Sequence, residues 1–404
     1  MKFEVNSGCL TAVIKALVNG CRSTDILWLN ADNSGIEIRL PKREELGVSV
    51  RINNTEHTDL EYICHESGFA TIRAADLNSI LQQCAASRSV FICHPAETDT
   101  VSVLNHGIEV MLRVEYCNPV LPLVALDEPE QIFTVERDIF INTMSVVRFA
   151  MCHNTTWPKF CGIHVESSRG KIQCVAGTCG FFAIKEAISK LLQSNKQINI
   201  FFPGTSIGCI VAAFSALSSP TLECKLYCEG TICLLTSGFL EIRIEDIPNE
   251  GFPHFNMGLI NGCSNKLCIR MSDLRPITKR IQAAINNAYK HGDNRLSFVD
   301  IAVDTNAGNM ILSWGATARG KIPLTLNTVV SSIESVFEFS SGIDVLNLIC
   351  KSWRTSGEIT IFYNADKPLF IKLSEEAVRE NDPDVVICSA ITKKIPTASQ
   401  EVQK

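Results

Sequence analysis

One short script is written three times in this chain. Residues 2–17 read KFEVNSGCLTAVIKAL, a strand-like start followed by an amphipathic run. The pattern returns at 133–147 as FTVERDIFINTMSVV and at 267–281 as LCIRMSDLRPITKRI. Shifts of 130 and then 134 residues stack Leu10, Phe140 and Leu274 in one column. Val13, Thr143 and Ile277 form the next, then Ile14, Met144 and Thr278, then Leu17, Val147 and Ile281. Offsets of i, i+3, i+4 and i+7 describe one face of a helix. A second helix is expected later in each copy, with Leu77, Ile207 and Ile343 aligned, then Ile80, Ile210 and Leu346, then Cys84, Phe214 and Cys350.

Between the two helices every copy carries an alternating segment broken by a Gly-containing turn: NADNSGIEIRL, VESSRGKIQCV and VDTNAGNMILSW. Each reads as a hairpin. More period-two strands follow, clearest in TLECKLYCEGTICLLTSGFLEIRIED at 221–246. The order helix, hairpin, helix, strands, written three times, predicts an α+β protein of three similar units.

The 404 residues are 46% hydrophobic, enough for substantial cores and unlike a disordered chain. No stretch approaches the roughly 18 uninterrupted apolar residues of a membrane helix, and no secretory signal is read at the N-terminus. The eighteen cysteines are scattered without a CxxC and are read as reduced, small core residues of a cytoplasmic protein. A formal charge of −6 gives no overall attraction to nucleic acid. Any such surface must be local and basic on an acidic body.

The opening MKFEV, the three-unit length and FAMCHNTTWPKFCGIHVESSRGKIQCVAGTCGFFAI at 149–184 resemble the bacterial DNA sliding clamp, the beta subunit of the bacterial replicase. FAMCHNTT resembles that family's Phe-Ser-Met-Ala-His stretch, GFPHF at 251–255 its Arg-Phe-Pro-Asp-Tyr segment, and DVVICSAI at 384–391 its C-terminal strand. The resemblance implies clamp domains at 1–128, 129–262 and 263–391, followed by a disordered tail at 392–404. It further implies a homodimer joined head to tail into a ring around double-stranded DNA, with helices lining the hole and sheets outside. Such a ring is a nucleoid-associated, non-enzymatic processivity factor without a cofactor. Its polymerase and clamp-loader partners dock through short linear peptides.

Carried over position by position, the resemblance places Lys15, Arg22, Arg73, Arg148, Lys279, Arg280 and Lys351 on the DNA-facing surface, with Arg88 and Arg354 nearby. His153, Asn154, Trp157 and Lys159 join them from the middle unit. The partner pocket is expected from Phe160, Gly177, Cys179, Phe181 and Phe182, from Pro253 and Gly258 of the following connector, and from Val385, Ile387 and Ser389 of the last strand. Within it, Phe181 is expected as an exposed anchor site and Phe182 in the core. The tail, with Lys393 and Lys394, is expected to cover the groove when no partner is bound. The ring contact is expected between 107–114, with Met111 where the family has an aromatic, and Ile285 with Asn286, where the family has leucine at the latter.

Two departures stand out. The family's Arg-Lys pair at the start of the middle unit's second helix is Gly204-Thr205 here, and that helix carries no cation. The family's Thr-Asp-Gly-His-Arg-Leu is Gly177-Thr178-Cys179-Gly180-Phe181-Phe182, and its terminal Met-Pro-Met is Ile387-Cys388-Ser389. These changes favour a second reading, a clamp-derived interaction protein that binds replication proteins without encircling DNA. A third, a zinc or redox enzyme on the same scaffold, would rest on Cys152, His153, Cys161, His164, Cys174 and Cys179. In the strand reading those residues scatter over different faces. No Walker A, G-x-S-x-G or G-x-G-x-x-G occurs, and no acid/base dyad stands out.

Overall fold

Each opening strand runs directly into its helix. In the computed structural model six helices follow six strands among the described residues: α1 (Ser7–Val18), α2 (Ala74–Leu81), α3 (Arg137–Val147), α4 (Gly204–Ser215), α5 (Met271–Lys290) and α6 (Ile343–Ser352). The structure describes the chain except residues 19–24, 44–45, 55–61, 85–87, 96–97, 116–125, 153–155, 157, 169, 179, 193–197, 216–218, 246, 248–262, 264, 292–297, 305, 316, 325–335, 354–356, 364–368, 374–382, 389–390 and 394–404. The aligned columns are the packed faces: Leu10, Phe140 and Leu274 are buried, as are Ile14, Met144, Thr278, Leu17, Val147 and Ile281. The expected hairpins form as Ile26–Asp32 with Gly35–Arg43, Gly162–Ser168 followed by Lys171–Thr178, and Phe298–Asp304 with Asn309–Trp314. Helix α2 stops at Leu81, so Cys84 of the third column lies beyond it.

The chain divides into two compact units. One comprises residues 1–145, 162–173 and 187–251, the other residues 146–161, 174–186 and 252–404, so Lys171–Thr178 and Phe181–Ile188 contribute to both.

In the first unit an antiparallel five-stranded sheet runs in the order Tyr62–Glu66, Lys2–Asn6, Ser89–Cys93, Thr100–Asn105, Ile108–Arg113. An eight-stranded sheet joins strands of the first two repeats through the pairing of Leu46–Asn53 with Leu240–Glu245, where Val50 faces Ile242. Alternate residues of these strands, among them Leu27, Leu29, Ile36, Ile38, Val50, Ile52, Ile242 and Ile244, point into the core. Helices α1 and α4 pack together in this unit. On α4, Ile207, Ile210, Ala213 and Phe214 are all buried.

In the second unit Phe181–Ile188, Val385–Cys388, Leu369–Leu373, Glu358–Tyr363 and Asn265–Arg270 pair antiparallel in that order. A further sheet runs Ala318–Pro323, Asn309–Trp314, Phe298–Asp304, Val336–Gly342, Ile391–Lys393. Thr392 and Lys393 therefore belong to a strand rather than to a free tail, because Phe339 and Glu338 offer them ladder partners. Residues 394–404, including Lys394, lie outside the described residues. Helix α5 packs on α6, and Arg275 turns inward to donate to the carbonyls of Cys350 and Trp353 at the end of α6. A cation at that end satisfies carbonyls that the helix leaves unpaired.

Asp384 pins the strand Val385–Cys388 to its neighbour. Its backbone N–H donates to the Ile184 carbonyl at 2.9 Å, and its carboxylate accepts from the Glu186 N–H at 2.6 Å and from Lys185 Nζ at 3.0 Å. Lys185 is 8% exposed, so loss of Asp384 strands a nearly buried charge. Asp384→Ala is expected to cost about 2–4 kcal/mol, read as a lower urea midpoint with an unchanged slope.

Candidate functional site: an apolar cluster and basic helix faces

The hairpin from Lys171 to Ile188 sets up an apolar cluster in the second unit. Two residues apart on one strand point to the same side, which places Val175 with Gly177 and Phe182 with Ile184. Across the ladder Phe182 faces Ile387, and Ile184 faces Val385. The short turn Pro158–Phe160 adds Phe160, held by a hydrogen bond from the Cys152 N–H to the Phe160 carbonyl at 3.0 Å. Phe160, Val175, Ile184, Val385 and Ile387 are buried together, and half-buried Cys152, Phe182, Cys263 and Phe362 pack against them. The rings of Phe160 and Phe182 meet edge to face, 5.9 Å apart.

Of the expected pocket residues the structure gathers Phe160, Phe182, Val385 and Ile387, with Gly177 against the Phe182 ring. Cys179, Pro253, Gly258 and Ser389 lie outside the described residues. The assignments of Phe181 and Phe182 must be exchanged. Phe181 is wholly buried and packs edge to face on Phe149 at 6.0 Å, whereas Phe182 is the half-buried member of the cluster. A one-residue error in parity flips every side chain of a strand. FFAIKEAI invites that error, because Phe181, Ala183, Ile184 and Lys185 are all buried. Val175 and Ile184 were not among the expected pocket residues, yet the period of two would have found them. Cys152, Cys263 and Phe362 carry no comparable sequence signal.

The cations fall into three environments. Lys15 on α1, Arg148 just after α3, Lys279 and Arg280 on α5, and Lys351 at the end of α6 are exposed. Arg73 is paired with Glu115 at 2.7 Å, which offsets its charge, and Arg88 lies 2.6 Å from His106 Nδ1. Lys159 is half-buried, its Nζ 5.4 Å from the centre of the Phe160 ring. Arg22, His153, Asn154, Trp157 and Arg354 lie outside the described residues. Helix α4 presents no cation, as its sequence requires.

For the expected ring contact, Met111 is 59% exposed on Ile108–Arg113, the outermost described strand of its sheet. Ile108 and Val110 are exposed beside it. Ile285 is corrected: it is 1% exposed, on the packed face of α5 with Ile281 and Leu274. Asn286, its neighbour, is exposed and accepts from Gln282 Nε2 at 2.8 Å.

Comparison with solved structures covers the whole chain. The DNA polymerase III beta subunit of Thermotoga maritima superposes with a TM-score of 0.73 at 12% identity, covering 98% of this chain and 100% of that one. The DNA polymerase sliding clamp of Pseudomonas aeruginosa gives 0.69 at 13% identity over 98% and 100%. The DNA polymerase III beta chain of Streptococcus pneumoniae gives 0.69 at 12% over 96% and 99%. The chain has the sliding-clamp fold. No protein-family model and no curated protein matches the sequence.

On this clamp fold the thiol- and imidazole-bearing residues of the middle repeat do other work. His164 donates from Nε2 to Glu166 at 3.1 Å, and burial pushes the Cys174 thiol well up, which disfavours the thiolate that a metal would need. Among the described residues no group of three or more His, Cys, Asp or Glu gathers as a metal ligand set.

The exchanged phenylalanines give a direct check. Phe181→Ala is expected to cost about 3–5 kcal/mol of stability, and Phe182→Ala clearly less because its ring is half-exposed. Equal shifts in the urea midpoint would contradict this placement.

Proposed function

We propose that this chain is a divergent member of the bacterial sliding-clamp family: a non-catalytic processivity factor that encircles duplex DNA and tethers a replicative polymerase and other replication proteins. The observation that carries the reading is the whole-chain likeness to DNA polymerase III beta subunits, with essentially all of each chain covered. In this reading the three repeats are three clamp domains, 1–128, 129–262 and 263–391, and two chains close a six-domain ring in the cytoplasm.

Three features support the reading. Ile108–Arg113 and Ala318–Pro323 each lie at one edge of a five-stranded sheet among the described residues, so head-to-tail pairing of the two would cover those two edges. Exposed Lys15, Lys279, Arg280 and Lys351 supply local positive charge on a chain of net charge −6. The cluster around Phe160 and Ile387 offers an apolar seat for one large side chain of a partner peptide, of a size that suits micromolar, exchangeable binding.

A second reading, an interaction protein that no longer surrounds DNA, is favoured by the cation-free α4. The first two of the following measurements separate the two readings, and the third tests the partner seat that both share. Sedimentation at tens of micromolar is expected to show a dimer that Ile108→Arg converts to monomer; wild type that stays monomeric contradicts the closed ring. Lys279→Glu with Arg280→Glu is expected to flatten the dependence of log affinity on log salt by about 0.9 per lost phosphate contact, or about 1.8 together. Unchanged retention on circular DNA would move the duplex to another surface. Ile387→Asp is expected to abolish binding of polymerase peptides while leaving the dimer intact.

A further inference from the structure

Phe182 packs on the apolar cluster of the second unit. Its ring lies against Gly177 on the neighbouring strand, where an added Cβ would sit 2.1 Å from Cδ1 and 2.7 Å from Cε1. The same Cβ would also sit 2.6 Å from the Phe181 carbonyl, so residue 177 tolerates nothing larger than glycine while the ring is in place. On its other side the ring meets Phe160 edge to face at 5.9 Å. Beneath lie Ile184, Val385 and Val175, each no more than 1% exposed, and Phe160 and Ile387, each 7% exposed. Among the described residues the half-buried ring of Phe182 is one of four side chains, with Cys152, Cys263 and Phe362, that pack against this cluster.

We propose that Phe182 is an intramolecular plug, and that a partner binds by replacing its ring with an apolar anchor of its own. This rests on the partner-pocket reading and adds a sign to it. An aromatic at the centre of a docking site ordinarily contributes to affinity, so truncation weakens binding. A plug does the reverse, because the free protein must first move the ring, and apparent affinity is reduced by the fraction of molecules in which the seat is open. Rotation of Phe182 off Gly177 uncovers Phe160 and Ile387, and a leucine or phenylalanine from an extended peptide restores the lost contacts. Gly177 holds the closed state by leaving room for the ring.

The test uses the full chain and a fluorescein-labelled hexapeptide, Gly-Ser-Gly-Ser-Leu-Phe, with Gly-Ser-Gly-Ser-Gly-Gly as blank, read by anisotropy. Phe182→Ala, and Phe182→Leu as a variant that keeps more of the packing, are expected to bind the Leu-Phe peptide about tenfold more tightly than wild type if the seat is open in about a tenth of molecules. Ile387→Asp is expected to bind neither peptide. Equal or weaker binding by both Phe182 variants, with binding still lost in Ile387→Asp, overturns the plug and leaves the pocket standing. Full binding by Ile387→Asp overturns both.

Discussion

Antiparallel pairing between strands of different repeats is the constraint on which the rest of this structure depends. Each repeat makes sheets that would end in bare N–H and C=O groups. Two of those ends are closed inside the chain. Leu240–Glu245 takes Leu46–Asn53 as its neighbour, and Phe181–Ile188 takes Val385–Cys388. The helices can then pack on continuous sheet faces, and the apolar cluster around Phe160 exists because the second pairing brings Ile387 opposite Phe182. Asp384 fixes that register with a backbone donor, a carboxylate acceptor and an ion pair in one residue. Ile108–Arg113 and Ala318–Pro323 remain at edges of their sheets among the described residues.

The same logic explains how a fold persists at 12–13% identity to solved clamps. The columns shared by the three repeats bury side chains on helix faces, where apolar character is the main requirement. Thr278 can stand where Ile14 and Met144 stand in other repeats because it returns its hydroxyl to the Leu274 carbonyl at 3.0 Å. A cation lost from a solvated helix costs little stability, so function alone decides whether it is kept.

Much of the fold was legible in the sequence because two periods dominate it. The period of 3.6 placed Leu10, Phe140 and Leu274 correctly, and turn residues placed the hairpins. The site was legible only in part. Phe160, Val385 and Ile387 could be carried over, but adjacent phenylalanines in a strand buried on both faces gave no parity, so Phe181 and Phe182 were exchanged. Ile285 was misplaced for a related reason: helical spacing puts it on the face of Ile281, and the family position alone does not override that packing. Contributions such as Phe362 and Arg275 come from tertiary neighbours far apart in sequence, which no local pattern announces.

In the proposed function topology rather than affinity holds DNA, on a chain whose net charge is −6 and whose helix α4 carries no cation. The direct measurement is retention on nicked circular DNA through gel filtration in high salt, before and after a single cut that linearises the circle. Protein is expected to stay with the intact circle and to be released by the cut. Equal retention on circular and linear DNA, or none on either at concentrations where the dimer is formed, would contradict it.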